Sequence, residues 1–164
     1  MNKVQSEVET PYLPSPSILL DENATIRAAL EILERRHAPG EALTSPDDTR
    51  NYLRLKLADL PEEVFGCVWL DNRHRVISVE EIFAGTIDGA SVHPRVLVRK
   101  AIGHNAAAAV LFHNHPSGVA EPSQADMRIT TRLKEALALV DVKVLDHFIV
   151  SAIESVSFAE RGML

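Results

Sequence analysis

Two histidines separated by one residue, His113 and His115, directly follow the apolar run AAAAVLF. Side chains at positions i and i+2 of a strand point to the same face, and their backbones lie about 7 Å apart, so both imidazoles can reach one metal ion. Asn114 between them points to the opposite face, and we expect it in the core or in a supporting role. The spacing alone does not decide between a metal site and a strand end that carries two histidines by chance.

A carboxylate, Asp126, follows these histidines after the turn-rich segment PSGVAEPS. This segment can return the chain, so that Asp126 would lie in the first turn of the next helix, near both imidazoles. Two histidines and one carboxylate leave the fourth position of a tetrahedral zinc open, which is typical of catalytic zinc sites. The stretch SQAD, residues 123–126, is also a capping box, so it equally predicts an ordinary helix N-terminus.

A hydrolytic metal site also needs a carboxylate base, and the stretch VISVEEIFAGT offers Glu80 and Glu81. Alternation along a strand places only one of the two on the face of the site and does not say which. Ser123 could donate its hydroxyl to a developing oxyanion. Taken alone, the glutamates are typical of a solvated strand edge, and the serine is typical of a helix cap.

The N-terminal half must supply helices and a hairpin around these residues. The stretch ATIRAALEILERRH has helical periodicity, with Asp21 or Asn23 as a possible cap. A second helix is predicted from Ser45 through YLRLKLADL, with a proline and two acids in its first turn. The stretch EVFGCVWLDNRHRVISVEEIF predicts a β-hairpin, and GTIDGAS after it predicts a loop.

The C-terminal half alternates between helices and strands. His93-Pro94 opens a predicted helix, AAAAVLF is a predicted buried strand, and a helix should run from about Ser123 to Val140. Strands are predicted for KVLDHFIVS and near SVSF. The order α-α-β-β-α-β-α-β-β predicts a mixed α/β sandwich with helices packed on a sheet.

The domain organisation is predicted to have three parts. Residues 1–20, which contain three prolines, would form a flexible lead-in. Residues 21–42 would form a helical extension, and residues 43–164 would form the main domain.

Composition narrows the class of protein. The 164 residues carry a formal net charge of -6, so no global field attracts nucleic acid. The basic groups Arg95, Arg99 and Lys100, which share a predicted helix, favour a solvated face over a phosphate-binding patch. The single cysteine, Cys67, lies in FGCVWL and is predicted to be a packed core thiol. We see no apolar run long enough for a membrane span and no signal peptide, and we expect a cytoplasmic protein.

The remaining histidines have less distinctive surroundings. His37, His74 and His104 lie in predicted turns or helix ends, and we expect them to be solvated. Asp146 and His147 are adjacent on a predicted strand, so they point to opposite faces. One of these two could orient a zinc ligand from behind, although an ordinary structural role is favoured.

Several motifs together closely resemble the RadC-like JAB/MPN (JAMM) metalloprotease family. These are HNHPSG followed by PSQAD, VEEIFAGT and SVHPR upstream, and VLDHFIV and SFAERG downstream. The resemblance spans roughly residues 43–164 and implies the JAB/MPN α/β/α sandwich. It also implies one zinc ion, a general acid/base and a serine on the oxyanion side. The residues it assigns to these roles are His113, His115 and Asp126 as zinc ligands, Glu80 as the acid/base, and Ser123. Glu80 is chosen because, in similar sequences, this glutamate lies five residues before the glycine that corresponds to Gly85.

The activity implied by this resemblance is the hydrolysis of a peptide or isopeptide bond, with an unidentified peptide or protein as substrate. One alternative is a nucleic-acid-associated accessory protein of the DNA-repair type, and another is a metal-binding interaction module without turnover. Only about 60 residues precede the hairpin, and we find no helix-hairpin-helix module there. We therefore expect a short, stand-alone RadC-like protein. The sequence does not predict its oligomeric state.

Overall fold

The computed structural model describes residues 16–43, 45–85 and 92–164. The described part contains four helices and five strands in the order that the sequence predicts. The helices are α1 Pro16–Arg36, α2 Pro46–Leu57, α3 Pro94–Gly103 and α4 Gln124–Ala138. The strands are β1 Glu63–Leu70, β2 Val76–Gly85, β3 Ala108–Asn114, β4 Lys143–Val150 and β5 Ser155–Ser157.

The five strands form one mixed sheet in the order β2-β1-β3-β4-β5. Strand β1 pairs antiparallel with both β2 and β3, so it lies between the hairpin partner and the histidine-bearing strand. Strands β3 and β4 are parallel, and α4 connects them across one face of the sheet. The α/β fold predicted from the sequence is therefore confirmed.

Helices cover both faces of this sheet. On one face, Leu53 and Leu57 of α2 pack against a cluster that includes Val110 and Phe112 of β3. On the other face, residues of α3 and α4 pack against a second cluster that includes Ala109 and Leu111. Because β3 is buried on both faces, its sequence is a nearly continuous apolar run rather than an alternating one. Alternation then places His113 on the face that α4 covers.

A close approach in the hairpin explains why glycine stands at position 66. A Cβ atom there would lie 2.2 Å from the Phe112 ring and 2.5 Å from the backbone oxygen of Glu80. The register between β1 and β2 also shifts between Phe65 and Gly66. Any larger residue at position 66 would push β1 away from β2 and from the aromatic side chain beneath it.

The structure corrects several local predictions. Helix α1 already begins at Pro16, so Asp21 and Asn23 lie inside it, and their prediction as N-caps is wrong. His37 is not solvated but buried, because its ring bonds the Leu33 carbonyl and stacks on another ring. By contrast, Ser45 caps α2 as predicted, and its hydroxyl accepts from the backbone N–H groups that follow it.

Two organisational predictions fall partly outside the described residues. Of the predicted lead-in, residues 1–15 lie outside them, and the remainder belongs to α1. Of the predicted loop GTIDGAS, residues 86–91 also lie outside them. The division into lead-in, extension and domain stays a prediction. No helix in the described ranges is long and apolar enough to cross a membrane.

Candidate functional site

The structure brings together the three side chains that the sequence proposes as metal ligands. His113 and His115 come from the end of β3 and the residue after it, and Asp126 comes from the first turn of α4. The Nε2 atoms of the two imidazoles lie 3.0 Å apart. Asp126 Oδ1 lies 3.3 Å from His113 Nε2, and Asp126 Oδ2 lies 3.5 Å from His115 Nε2.

These separations fit a tetrahedral metal. Zinc bonds to nitrogen and oxygen of about 2.0–2.1 Å place neighbouring ligand atoms about 3.3 Å apart. One ligand atom from each of the three residues lies within 4.8 Å of the other two. Imidazole nitrogens with a carboxylate form a donor set that suits zinc and similar transition metals. The residues therefore fit a divalent ion and leave one coordination position to solvent or substrate.

The hydrogen bonds of His115 point its lone pair into the cluster. His115 Nδ1 lies 2.8 Å from the Val119 carbonyl, which can only accept, so Nδ1 carries a proton. The turn around Gly118, whose φ is 88°, brings this carbonyl back onto the ring. In the neutral imidazole, Nε2 is then an acceptor that faces His113 and Asp126.

The charge of the Asp126 carboxylate in this cluster is balanced by a proton or by a metal ion. Burial by itself would raise the pKa of Asp126, but the imidazoles of His113 and His115 beside the carboxylate outweigh it and hold that pKa far below its ordinary range. The hydrogen bond to Asp126 raises the pKa of His115 against the opposing effect of burial. A proton on His115 Nε2 thus balances the carboxylate when no metal is bound, and a metal ion would take the place of that proton.

Ser123 is the N-cap of α4 and forms a capping box with Asp126. Its hydroxyl accepts from the Asp126 backbone N–H at 3.1 Å, and its own N–H donates to Asp126 Oδ2 at 2.7 Å. The cap therefore fixes both the start of the helix and the orientation of the Asp126 carboxylate. Both interpretations of this segment, cap and metal ligand, are thus compatible in one geometry.

The structure does not bring Glu80 to this cluster. Glu80 lies opposite Cys67 on β1, which lies opposite Leu111 on β3, so Glu80 is two strands from β3 and two residues from the level of His113. Its Oε2 atom accepts from three donors, which are Trp69 Nε1 at 3.0 Å, Lys100 Nζ at 3.1 Å and His104 Nε2 at 3.2 Å.

This environment makes Glu80 a weak proton acceptor. Burial would raise its pKa, but the hydrogen bonds from Trp69, Lys100 and His104 lower it below the ordinary value. The expectation that His104 is solvated is wrong, because its ring bonds this carboxylate and stacks on Trp69. The neighbouring Glu81 lies on an exposed part of β2 and approaches Lys56 at 3.6 Å.

A carboxylate that the sequence interpretation did not single out, Glu63, lies beside the cluster. The register of β1 with β3 pairs Phe65 with His113, so its continuation places Glu63 opposite His115 on the same face. The carboxylate is close enough for its charge to contribute to the raised pKa of His115. The sequence offered PEEVFG at a strand start, but nothing in it showed that β1 would be the neighbour of β3.

A cleft of about 600 Å³ opens next to these residues. The residues that line it include Glu62, Glu63, Gly85, His115 and Pro116. The cleft therefore places solvent-accessible space against one predicted metal ligand and against a carboxylate that is only partly exposed.

Asn114 and His147 support the site from behind. Asn114 is buried and faces away from the cluster, where it accepts from Val64 N–H at 2.7 Å and donates to the Glu62 carbonyl at 3.0 Å. It thereby holds the start of β1 against the end of β3.

His147 Nε2 lies 2.8 Å from His113 Nδ1. The less favoured interpretation of the Asp146-His147 pair, in which one of the two orients a zinc ligand from behind, therefore fits the structure.

Comparison with known proteins identifies similar sequences over most of the chain. The RadC-like JAB domain matches residues 43–163. A UPF0758 protein of Thioalkalivibrio sulfidiphilus is 63% identical over 146 residues, which cover 86% of this chain and 65% of that protein. UPF0758 proteins of Nitrosococcus oceani and Halorhodospira halophila are 56% and 60% identical, over 93% and 86% of this chain and 70% and 65% of their own lengths. The chain thus spans about two thirds of these relatives, whose names specify no activity.

Proposed function

This chain belongs to the RadC-like JAB domain family, and we propose that it is a metal-dependent hydrolase that cleaves a peptide or isopeptide bond. The observation that carries the proposal is the convergence of His113, His115 and Asp126 at separations of 3.0, 3.3 and 3.5 Å. Such a site leaves a position open for chemistry, whereas a structural zinc site is usually closed by four protein ligands.

Zinc is the metal that we assign to the site, one ion per chain, held by the two Nε2 atoms and the Asp126 carboxylate. When bound, the ion would supply Lewis-acid polarisation of a carbonyl and would lower the pKa of a water molecule towards neutrality. The protein prepares for this by holding Asp126 ionised and by orienting His115 through its bond to the Val119 carbonyl.

We assign the role of general base to Glu63 rather than to Glu80. Glu63 lies on the face of His115 and borders the cleft, so its carboxylate can take a proton from the attacking water and pass it to the leaving amine. Glu80 is held by three donors at the level of Cys67, and its lowered pKa makes it a poorer base.

Ser123 retains a proton that it can donate. Its oxygen accepts from the Asp126 N–H, so the hydroxyl hydrogen is not used by the cap and is free for a substrate oxygen. We propose that this hydroxyl shares the negative charge that develops on the scissile carbonyl oxygen. The side chain is exposed at the start of α4, where a substrate could reach it.

A peptide or protein is the substrate class that we propose. The cleft has the size of a site for a few residues of an extended chain, and no global positive charge favours nucleic acid. Lys100, one of the basic groups considered for phosphate binding, is engaged by Glu80. A nucleic-acid-associated role is therefore not favoured.

The proposal is tested by metal analysis and a cleavage screen on the same protein. We expect one zinc per chain in the parent, cleavage of members of a peptide and isopeptide library, loss of cleavage on chelation and recovery when zinc is restored. His113→Ala serves as the matched variant and should lack both zinc and activity. A parent that binds no zinc, or that cleaves equally well after chelation, would contradict the proposal.

A further inference from the structure

Behind the cluster, a relay of two buried groups, His147 and Thr130, joins His113 to the backbone of Asp126. His113 Nδ1 lies 2.8 Å from His147 Nε2, and His147 Nδ1 lies 2.7 Å from Thr130 Oγ1. Thr130 Oγ1 in turn donates to the Asp126 carbonyl at 2.6 Å. His147 is 0% exposed and Thr130 is 2% exposed, so water does not compete for these bonds.

The position of each proton in this relay follows from the hydrogen bond between Thr130 and the Asp126 carbonyl. A carbonyl oxygen has no proton, and two oxygens 2.6 Å apart need one between them, so the Thr130 hydroxyl donates to Asp126. The Thr130 oxygen must then accept from His147 Nδ1–H, which leaves the His147 Nε2 lone pair to accept. His113 Nδ1 is therefore the donor to His147, and the lone pair of neutral His113 is on Nε2.

We propose that His147 and Thr130 are positioning residues that set the tautomer of His113, so that its Nε2 lone pair faces His115 and Asp126. The inference rests on the proposed function only in taking this cluster as a metal site. The opposite tautomer would put an N–H at Nε2, which points at the place of the metal and cannot coordinate it.

The relay also ties two ligand-bearing elements together. Thr130 lies one helical turn after Asp126 on α4, whereas His113 belongs to β3 and His147 to β4. One hydroxyl thus contacts the helix that carries the carboxylate ligand and the imidazole that supports the first histidine. The His147 ring also stacks on the Phe158 ring, with centroids 4.9 Å apart, and this contact fixes its orientation.

Removal of the Thr130 hydroxyl tests the inference. Thr130→Val keeps the shape of the side chain but leaves His147 Nδ1 without its acceptor, so the tautomers of His147 and His113 are no longer fixed. We expect zinc affinity, measured by competition with a chromophoric chelator, to fall about 10–100-fold, in the range typical for residues that orient metal ligands. Thr130→Ser should restore it. Thr131→Val is the matched control, because Thr131 makes the same kind of bond, to the Met127 carbonyl at 3.0 Å, on the exposed face of α4.

Nitrogen NMR of the imidazoles reports which ring nitrogen of His113 is protonated. A merely structural role of Thr130 would leave this protonation unchanged. In the metal-free parent, His113 should be protonated on Nδ1, and Thr130→Val should shift it towards protonation on Nε2, while Thr131→Val should not. A parent with His113 protonated on Nε2 would overturn the inference without any variant, as would unchanged zinc affinity in Thr130→Val. Neither result would touch the proposed hydrolysis, which fails separately if the parent does not cleave.

Discussion

Two clusters of histidine and carboxylate lie on the same face of the sheet, and they differ in whether a positive charge already balances the carboxylate. In the first, His113 and His115 surround Asp126, and two lone pairs and a carboxylate converge where a cation fits. In the second, Lys100, His104 and Trp69 all donate to one oxygen of Glu80. The first cluster lacks a positive charge that only a proton or a metal can supply, and the second already contains one. A carboxylate near histidines is therefore available to bind a cation only when neighbouring donors have not already balanced its charge.

The largest expected effect is on the cleavage rate, and it distinguishes Glu63, beside the first cluster, from Glu80, inside the second. Glu63→Gln should lower kcat by about 10²–10⁴-fold with zinc content unchanged, because it removes the proposed base and no ligand. Glu80→Gln is the matched control and should stay within a few-fold of the parent. Cleavage rates and metal content of the two variants decide the matter, and the reverse ranking would return the role to Glu80.

Ser123 allows the catalytic and structural parts of the first cluster to be separated. Ser123→Ala should lower kcat by about 10²-fold through loss of an oxyanion donor, and should cost about 1 kcal/mol of stability through loss of the cap. Ser123→Gly removes the same hydroxyl but costs only a few tenths of a kcal/mol as a cap. Kinetics and chemical denaturation of both variants check this. An equal loss of rate in both supports the donor role, and parent-like rates in both contradict it.

Acid should weaken metal binding to the first cluster. The pKa of His115 in the metal-free protein is raised above 6.5, mainly by its hydrogen bond to Asp126. Zinc must displace that proton, so as the pH falls through this raised pKa the apparent zinc affinity should drop by up to about tenfold per pH unit. Because the pKa of Asp126 is held far below its ordinary range, that carboxylate stays ionised throughout this window. Competition titrations between pH 5 and about 8 check this, and a flat profile would show that His115 is not a ligand.

The smallest expected effect concerns the second cluster. Lys100→Met removes the ammonium from Glu80, and since both side chains are partly exposed, the loss of stability should be about 0.5–1 kcal/mol. Zinc affinity should not change, because the two clusters lie at different levels of the sheet. Urea denaturation and zinc titration of one sample measure both quantities. A clear change in zinc affinity would mean that the clusters are coupled.

The sequence by itself determined most of the candidate metal centre. His113 and His115 share a face because strands alternate, and the capping box brings Asp126 into the first turn of α4. These are local relations along the chain, and local backbone geometry fixes them. The order of elements and the buried character of Cys67 follow from the same kind of pattern.

Only the tertiary structure decided which carboxylate stands beside the cluster and which histidine supports it. The family resemblance assigned Glu80, but β1 lies between β2 and β3, so Glu63 is the neighbour of His115. Likewise, alternation separates Asp146 from His147, but only the packing of α4 on β4 gives His147 its contact with Thr130, and only the pairing of β4 with β3 gives it its contact with His113. Strand order and layer packing depend on contacts between residues distant in the chain, and no local pattern encodes those contacts.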